Sequence, residues 1–179
     1  MPLLGFTRLR WIGLFDNTIT WYFRRVDEKG LSVTAISLRP LTPENARATV
    51  RLKVGEGQAG YVASNADSIA EAYVYPTFYP LTIYADDELV GFAMYGQDAD
   101  DDRWWIIRMM IDARFQGRGY GRGGMQALIA LMRDKHQCET ITLGVDPANQ
   151  QAIRLYESLG FRDTGEVEEG EMVMRLDVR

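Results

Sequence analysis

Gln116-Gly117-Arg118-Gly119-Tyr120-Gly121 stands between an apolar run, 103–111, and a segment with helical periodicity. In that segment Met125, Leu128, Ile129 and Met132 fall at i, i+3, i+4 and i+7, one face of a helix. Glycines alternating through a strand-to-helix turn let the backbone bend tightly and aim several N–H groups at one point. The helix that follows adds the positive end of its dipole, so the turn is a cradle for an anion. Arg118 and Arg122 add formal charge. A turn without a ligand is the plainer reading, but each glycine has an entropic cost that such a turn does not require. Gly119-Tyr120-Gly121-Arg122-Gly123-Gly124 also spells the dinucleotide fingerprint G-x-G-x-x-G. That fingerprint opens a series of βαβ units, whereas here about a hundred residues, a β-hairpin among them, come first.

Outward from the turn, the pattern is one of alternating strands and helices. The alternation over 31–38 predicts a strand. Thr42, Pro43 and Glu44 predict a helix start. A second short helix is expected within 65–73, ending before Pro76. Runs 79–84 and 89–95 predict a β-hairpin turning at Asp86, Asp87 and Glu88, followed by a polar loop, 97–102. The apolar run 103–111 predicts a strand covered on both faces. Beyond the central helix, 140–145 predicts a buried strand, and Asp146-Pro147 the start of another helix. Gly160 closes that helix, with Phe161 as the apolar residue after the cap. A last hairpin is expected to turn at Glu169-Gly170. Residues 1–30, crowded with Trp11, Phe15, Trp21, Tyr22 and Phe23 but without a period, read as an N-terminal extension to a domain spanning 31–179.

Composition narrows the function. The chain has 179 residues, 46% hydrophobic and 25% charged, ordinary globular values for one domain. A net charge of −5 argues against nucleic acid as partner and suits a cationic one. One cysteine (Cys138) and one histidine (His136) exclude an internal disulfide and the common zinc sites, so no metal is expected. The apolar start, 1–15, is interrupted by Arg8 and Arg10 and has no small-residue cleavage site, and no run reaches the ~20 apolar residues of a spanning helix. The expectation is a cytoplasmic enzyme with no membrane partner.

The second informative stretch is Asn149-Gln150-Gln151-Ala152-Ile153-Arg154-Leu155-Tyr156, followed by Glu157-Ser158-Leu159-Gly160-Phe161. Asn149 and Tyr156 are two helical turns apart and share a face that Ala152 and Leu159 continue. Alone, Tyr156 reads as a core aromatic.

Taken together, 116–121 and 149–161 resemble the two signature segments of the GNAT superfamily of N-acetyltransferases, and the resemblance spans roughly 31–179. Segments 88–96, 111–117 and 165–174 are most similar to bacterial spermine/spermidine (diamine) acetyltransferases. The resemblance implies an α/β (α+β) fold: a central mixed, mostly antiparallel twisted sheet with helices on both faces and a splay between the fourth and fifth strands. It implies acetyl-CoA as co-substrate, with its pyrophosphate on Gln116, Gly117, Arg118, Gly119, Tyr120, Gly121 and Arg122. Its pantetheine arm would pair with the backbone of Met109, Met110 and Ile111, one amide of that strand polarising the thioester carbonyl. Asn149 matches a coenzyme-contacting asparagine, and Tyr156 the tyrosine that protonates the departing thiolate.

The implied partner is a small-molecule amine, with a homodimer as one assembly the family adopts. A primary amine, whose pKa in water is about 10.4, arrives protonated and must lose a proton to attack. No covalent intermediate is needed, and Cys138 and His136, together at a helix end, read as structural. In the polyamine enzymes an acidic residue precedes the glycine turn, where this chain has Ile107. Glu56, Asp67 and Glu71 are the acids expected to line the acceptor cleft, ranked above Asp98, Asp100, Asp101 and Asp102 on the loop. Acetylation of a polyamine, of a peptide N-terminus or an aminoglycoside amine, and non-catalytic coenzyme A sensing all stay open, with Tyr156 favouring catalysis.

Overall fold

A computed structural model of the chain describes residues 34–98 and 102–179. The elements are β1 (Ile36–Pro40), α1 (Pro43–Val50), α2 (Asn65–Val74), β2 (Phe78–Ala85), β3 (Glu88–Gln97), β4 (Trp104–Ile111), a single 3-10 turn (Ala113–Phe115), α3 (Tyr120–His136), β5 (Thr140–Val145), α4 (Gln150–Ser158), β6 (Arg162–Glu168) and β7 (Glu171–Asp177). They build one seven-stranded sheet in the order β1-β2-β3-β4-β5-β7-β6. Every neighbouring pair is antiparallel except β4 and β5, which are parallel.

The strand period of two sorts β3 into two cores. Phe92 and Met94 pack with Leu52, Ile69 and Ala72 of the α1–α2 side. Ala93 and Tyr95 face the larger core, where α3 places Met125, Leu128 and Met132, none with any exposed surface. Helices therefore cover both faces, as expected. The predicted stripe of α3 is the buried one, although Ile129 at its margin is only partly covered.

Local chemistry sets the boundaries. Thr42 caps α1 in a capping box with Asn45, and Pro43 occupies the first turn. Ser64 caps α2 by accepting from the Asp67 N–H. At the end of α4 the Phe161 N–H donates to the Tyr156 carbonyl and the Gly160 N–H to that of Glu157, with Gly160 at φ +99°: a Schellman cap. The last hairpin turns through Glu169 (φ 52°) and Gly170 (φ 89°), both left-handed, as a two-residue primed turn requires.

Four expectations need correction. The first described strand begins at Ile36 and runs to Pro40, and the part of its predicted span before residue 34, like the extension 1–30, lies outside the described residues. Glu88 belongs to β3 and not to the turn. The last helix starts at Gln150 and is capped by Asn149, because Asp146 instead holds the preceding turn by accepting from the Ala148 N–H at 2.7 Å. β4 is not covered on both faces: Ile107, Arg108 and Met109 are only half-buried, because they line an open cleft. Among the described residues no helix is long and apolar enough to cross a membrane.

Candidate active site

The cleft begins where two strands part. β4 and β5 pair only at Trp105–Thr142 and Ile106–Leu143. On its other side β4 stays paired to β3 through Ile111, but its register shifts between Ile106 and Arg108, leaving Ile107 as an extra residue, a β-bulge. From that bulge onward the β5-facing backbone of β4 has no strand partner. The gap is a cleft of about 730 Å³, within the usual range of a small-molecule site.

The structure brings nearly all of the expected site residues to this cleft. Met109, Met110, Ile111, Gln116, Gly117, Gly119, Tyr120, Gly121, Arg122, Asn149 and Tyr156 line it, and Arg118 does not. Met110 and Ile111 bury their side chains in the cores, so β4 offers the cleft mainly backbone. Gly117 (φ +74°) and Gly119 (φ +82°) are left-handed, a conformation that costs any side chain energy, and Gly119 is the N-cap of α3. No acidic residue stands in the first turn of α3, so its N-terminal amides keep their full attraction for an anion. Gly121 is different: a Cβ there would meet Ile111 and Leu155 only at ordinary contact distances, 3.7 and 3.9 Å.

Several side chains work on the protein rather than outward. The Gln116 amide donates to the Ile111 carbonyl and to Gln58 Oε1, both at 2.9 Å, tying the glycine turn to β4 and to the loop after α1. Arg122 donates to Ser158 Oγ at 2.7 Å, linking the start of α3 to the end of α4. Arg118 stands over the Phe115 ring at 5.6 Å. Asn149 Oδ1 accepts from the Ala152 N–H at 3.2 Å, so its oxygen is committed to capping α4. Burial, and then the negative charge of Glu171, push the Tyr156 phenol up to about 12, so it keeps its proton across the working range.

The acids expected around the acceptor are elsewhere. Glu56, Asp67 and Glu71 do not line the cleft. Asp67 accepts from Ser64 Oγ at 2.6 Å at the start of α2. Glu71 holds Arg108 through both oxygens, at 3.1 and 3.3 Å. Asp98 and Asp102 also lie off the cleft, while Asp100 and Asp101 are outside the described residues. Ile107 packs against the Leu52–Phe92–Met94 cluster, so β4 carries no acid there. The acids that do line the cleft, Asp146, Glu169 and Glu171, were not singled out from the sequence. His136 shares a hydrogen bond with Tyr95 Oη at 3.2 Å and stacks on Trp104 at 4.0 Å, and Cys138 is buried, so both are structural.

Residues 51–161 match the acetyltransferase (GNAT) family. The chain belongs to that family. It is an N-acetyltransferase. It is 35% identical over 147 residues to the spermine/spermidine N(1)-acetyltransferase of Bacillus subtilis, covering 78% of this chain and 97% of that one. Its fold is similar to that of a Vibrio cholerae spermidine N-acetyltransferase in complex with CoA and spermine, with a TM-score of 0.63, 18% identity, and 78% and 92% of the two chains covered. It is also similar to the ribosomal-protein-S18-alanine N-acetyltransferase of Escherichia coli, with a TM-score of 0.61, 19% identity, and 79% and 93% covered.

Proposed function

We propose that this acetyltransferase moves an acetyl group from acetyl-coenzyme A to a primary amine of a small molecule, with a polyamine such as spermidine or spermine as acceptor. The observation that carries the reading is the parted β4–β5 edge, whose cleft is lined by the glycine turn, by Tyr156 and by three carboxylates.

The main-chain N–H groups around Gly117 and Gly119, with the start of α3, suit the pyrophosphate, and Arg122 adds a positive charge beside them. Beyond the bulge, the unpaired backbone of β4 suits the amides of the pantetheine arm as a partner strand would. An N–H on that edge stabilises the oxyanion formed when the amine attacks the thioester carbonyl. Holding both substrates in one cleft supplies much of the rate by proximity. Tyr156, protonated throughout, donates to the sulfur as the C–S bond breaks. Asp146, Glu169 and Glu171 favour a cationic acceptor, as does the net charge of −5. The similarity to the Bacillus subtilis polyamine enzyme supports the same acceptor class.

The test is the release of free coenzyme A from acetyl-coenzyme A in the presence of polyamines, amino acids, aminoglycosides or N-terminal peptides. Saturable turnover with spermidine or spermine is expected. Preferential turnover of a peptide or an aminoglycoside would replace the polyamine assignment, and coenzyme binding without turnover of any amine would make the chain a sensor.

A further inference from the structure

The resemblance to polyamine acetyltransferases implies an acid on the strand before the glycine turn, and β4 of this chain has none. Ile107 packs into the α1–α2 core, and the ionisable side chain of β4, Arg108, is a cation held by Glu71 at 3.1 Å. An acid that enters the cleft must therefore come from elsewhere.

Glu171 enters it through a gap that another strand leaves open. It is the first residue of β7, and its carboxylate lies over β5 at Gly144. A Cβ at position 144 would fall 2.2 Å from Glu171 Oε2, 3.3 Å from its carboxyl carbon and 3.4 Å from its Cβ. A side chain there would push the carboxylate, the far end of a flexible side chain, out of its seat. Gly144 does not have a positive φ, so its backbone conformation does not call for glycine. A glycine inside a strand weakens it and marks the close approach of another group. Here the group is the Glu171 carboxylate, seated where β5 has parted from β4. Tyr156 lines the same cleft and lies within reach of the charge on Glu171.

We propose that Glu171 is the catalytic base of this enzyme, the group that binds the acceptor's ammonium and takes its proton. The proposal rests on the acetyl-transfer reading above. Its surroundings suit the role. Burial pushes the Glu171 carboxyl up from its ordinary value, Arg108 on β4 pulls it back, and Asp146 after β5 and Glu169 in the last hairpin push it up again. Tyr156 on α4 lies within reach of its charge and stays neutral. A carboxylate in that setting is a stronger base than one in water.

The protons balance. The ammonium gives one proton to Glu171, which passes it to bulk water. The freed nitrogen lone pair forms the C–N bond at the thioester carbonyl, and the carbonyl π pair becomes the oxyanion. When the carbonyl re-forms, the C–S bond breaks and its electron pair leaves with sulfur, which takes the proton of Tyr156. The second nitrogen proton restores Tyr156, leaving the amide, the free thiol and one proton in solution.

The test uses the full chain with acetyl-coenzyme A and spermidine. Glu171→Gln is expected to lower kcat by about 10²–10⁴, the usual contribution of a positioned base, with coenzyme affinity within about twofold of wild type. The pH profile separates catalysis from structure. Wild-type kcat/KM should rise with the ionisation of Glu171 and then level off. The glutamine variant must instead draw on free amine, so its kcat/KM should keep climbing tenfold per pH unit toward the amine's own pKa of about 10.4. Thermal stability gives a third readout. Because the fold favours protonated Glu171, its ionised form costs stability above its folded pKa, a cost that fades as pH falls below the ordinary carboxyl value. Glu171→Gln should therefore melt at or above the wild-type temperature at pH 8 and lose that advantage toward pH 4. A second variant, Gly144→Ala, leaves the carboxylate in place chemically but unseats it, and turnover should fall at least tenfold. Wild-type turnover in Gly144→Ala, or a glutamine variant with the wild-type rate and pH profile, overturns the proposal. A glutamine variant that fails to fold makes Glu171 structural unless Gly144→Ala folds and loses turnover. If wild type itself acetylates no amine, the acetyl-transfer reading fails and takes this proposal with it.

Discussion

Replacing Tyr156 by phenylalanine removes one oxygen from the cleft wall and leaves the ring packed 6.0 Å from that of Phe161. The hydroxyl makes no hydrogen bond to any described residue, so its loss orphans no buried partner. The melting temperature should hold, with a stability change inside the ~0.5 kcal/mol typical of substitutions that break nothing. Turnover should not hold. A thiolate with a pKa of about 8.5 is a weaker base than a phenolate, so full transfer from a phenol raised to about 12 is uphill by roughly 3.5 units, or ~5 kcal/mol. A separate proton-transfer step would carry that cost, so donation as the C–S bond breaks, with a proton recovered from the newly acylated nitrogen, is the lower path. That places the cost of Tyr156→Phe near the lower end of the range for general acids, about 10² in kcat, with little change in KM for acetyl-coenzyme A. Steady-state release of free thiol at several pH values measures it. The raised phenol also means that no alkaline limb due to Tyr156 should appear below about pH 11. A phenylalanine variant that turns over spermidine at the wild-type rate would refute the argument and leave water as the proton source.

Other substitutions probe the coenzyme side. Gly119→Val forces a β-branched residue into a left-handed N-cap at φ +82°, so calorimetric titration should show coenzyme A affinity lost along with about 1–3 kcal/mol of stability. Gly121→Ala, whose Cβ meets only ordinary contacts, should keep both. Gln116→Ala cuts the ties of the turn to Ile111 and Gln58 at roughly 0.5–1.5 kcal/mol each, so KM for acetyl-coenzyme A should rise about fivefold or more while kcat stays near wild type. A chain shortened to begin at Leu31 should keep one cooperative thermal transition and its coenzyme affinity; insolubility would make the first thirty residues part of the core.

What could be read from the sequence was what a local constraint encodes. A left-handed glycine before a helix, an Asn149-to-Tyr156 spacing of two turns and a Gly160-Phe161 cap each state their geometry within a few residues, and each is where it was expected. The start of α4 was misplaced because two good capping side chains, Asp146 and Asn149, lie three residues apart, and only the folded turn shows which of them caps the helix. The open edge of β4 was legible only through the family resemblance, which implied the splay between the fourth and fifth strands. The residues of β4 are apolar enough for a doubly covered strand, but the bulge at Ile107 and the early end of β5 pairing leave one edge open. Neither feature is written in β4's own composition. The acceptor side was the least legible part. The ranking of Glu56, Asp67 and Glu71 followed the region that lines the acceptor cleft in the family, yet Asp67 accepts from the Ser64 hydroxyl at the start of α2 and Glu71 neutralises Arg108. Glu171 reaches the cleft through the β5–β7 pairing, which sets Gly144 opposite Val173 and so puts a residue two places earlier on the same face. Gly144, set inside a strand without a turn to explain it, is the signal in the sequence for a group lying close against that strand. The residue that fills the space could be named only once the register was known.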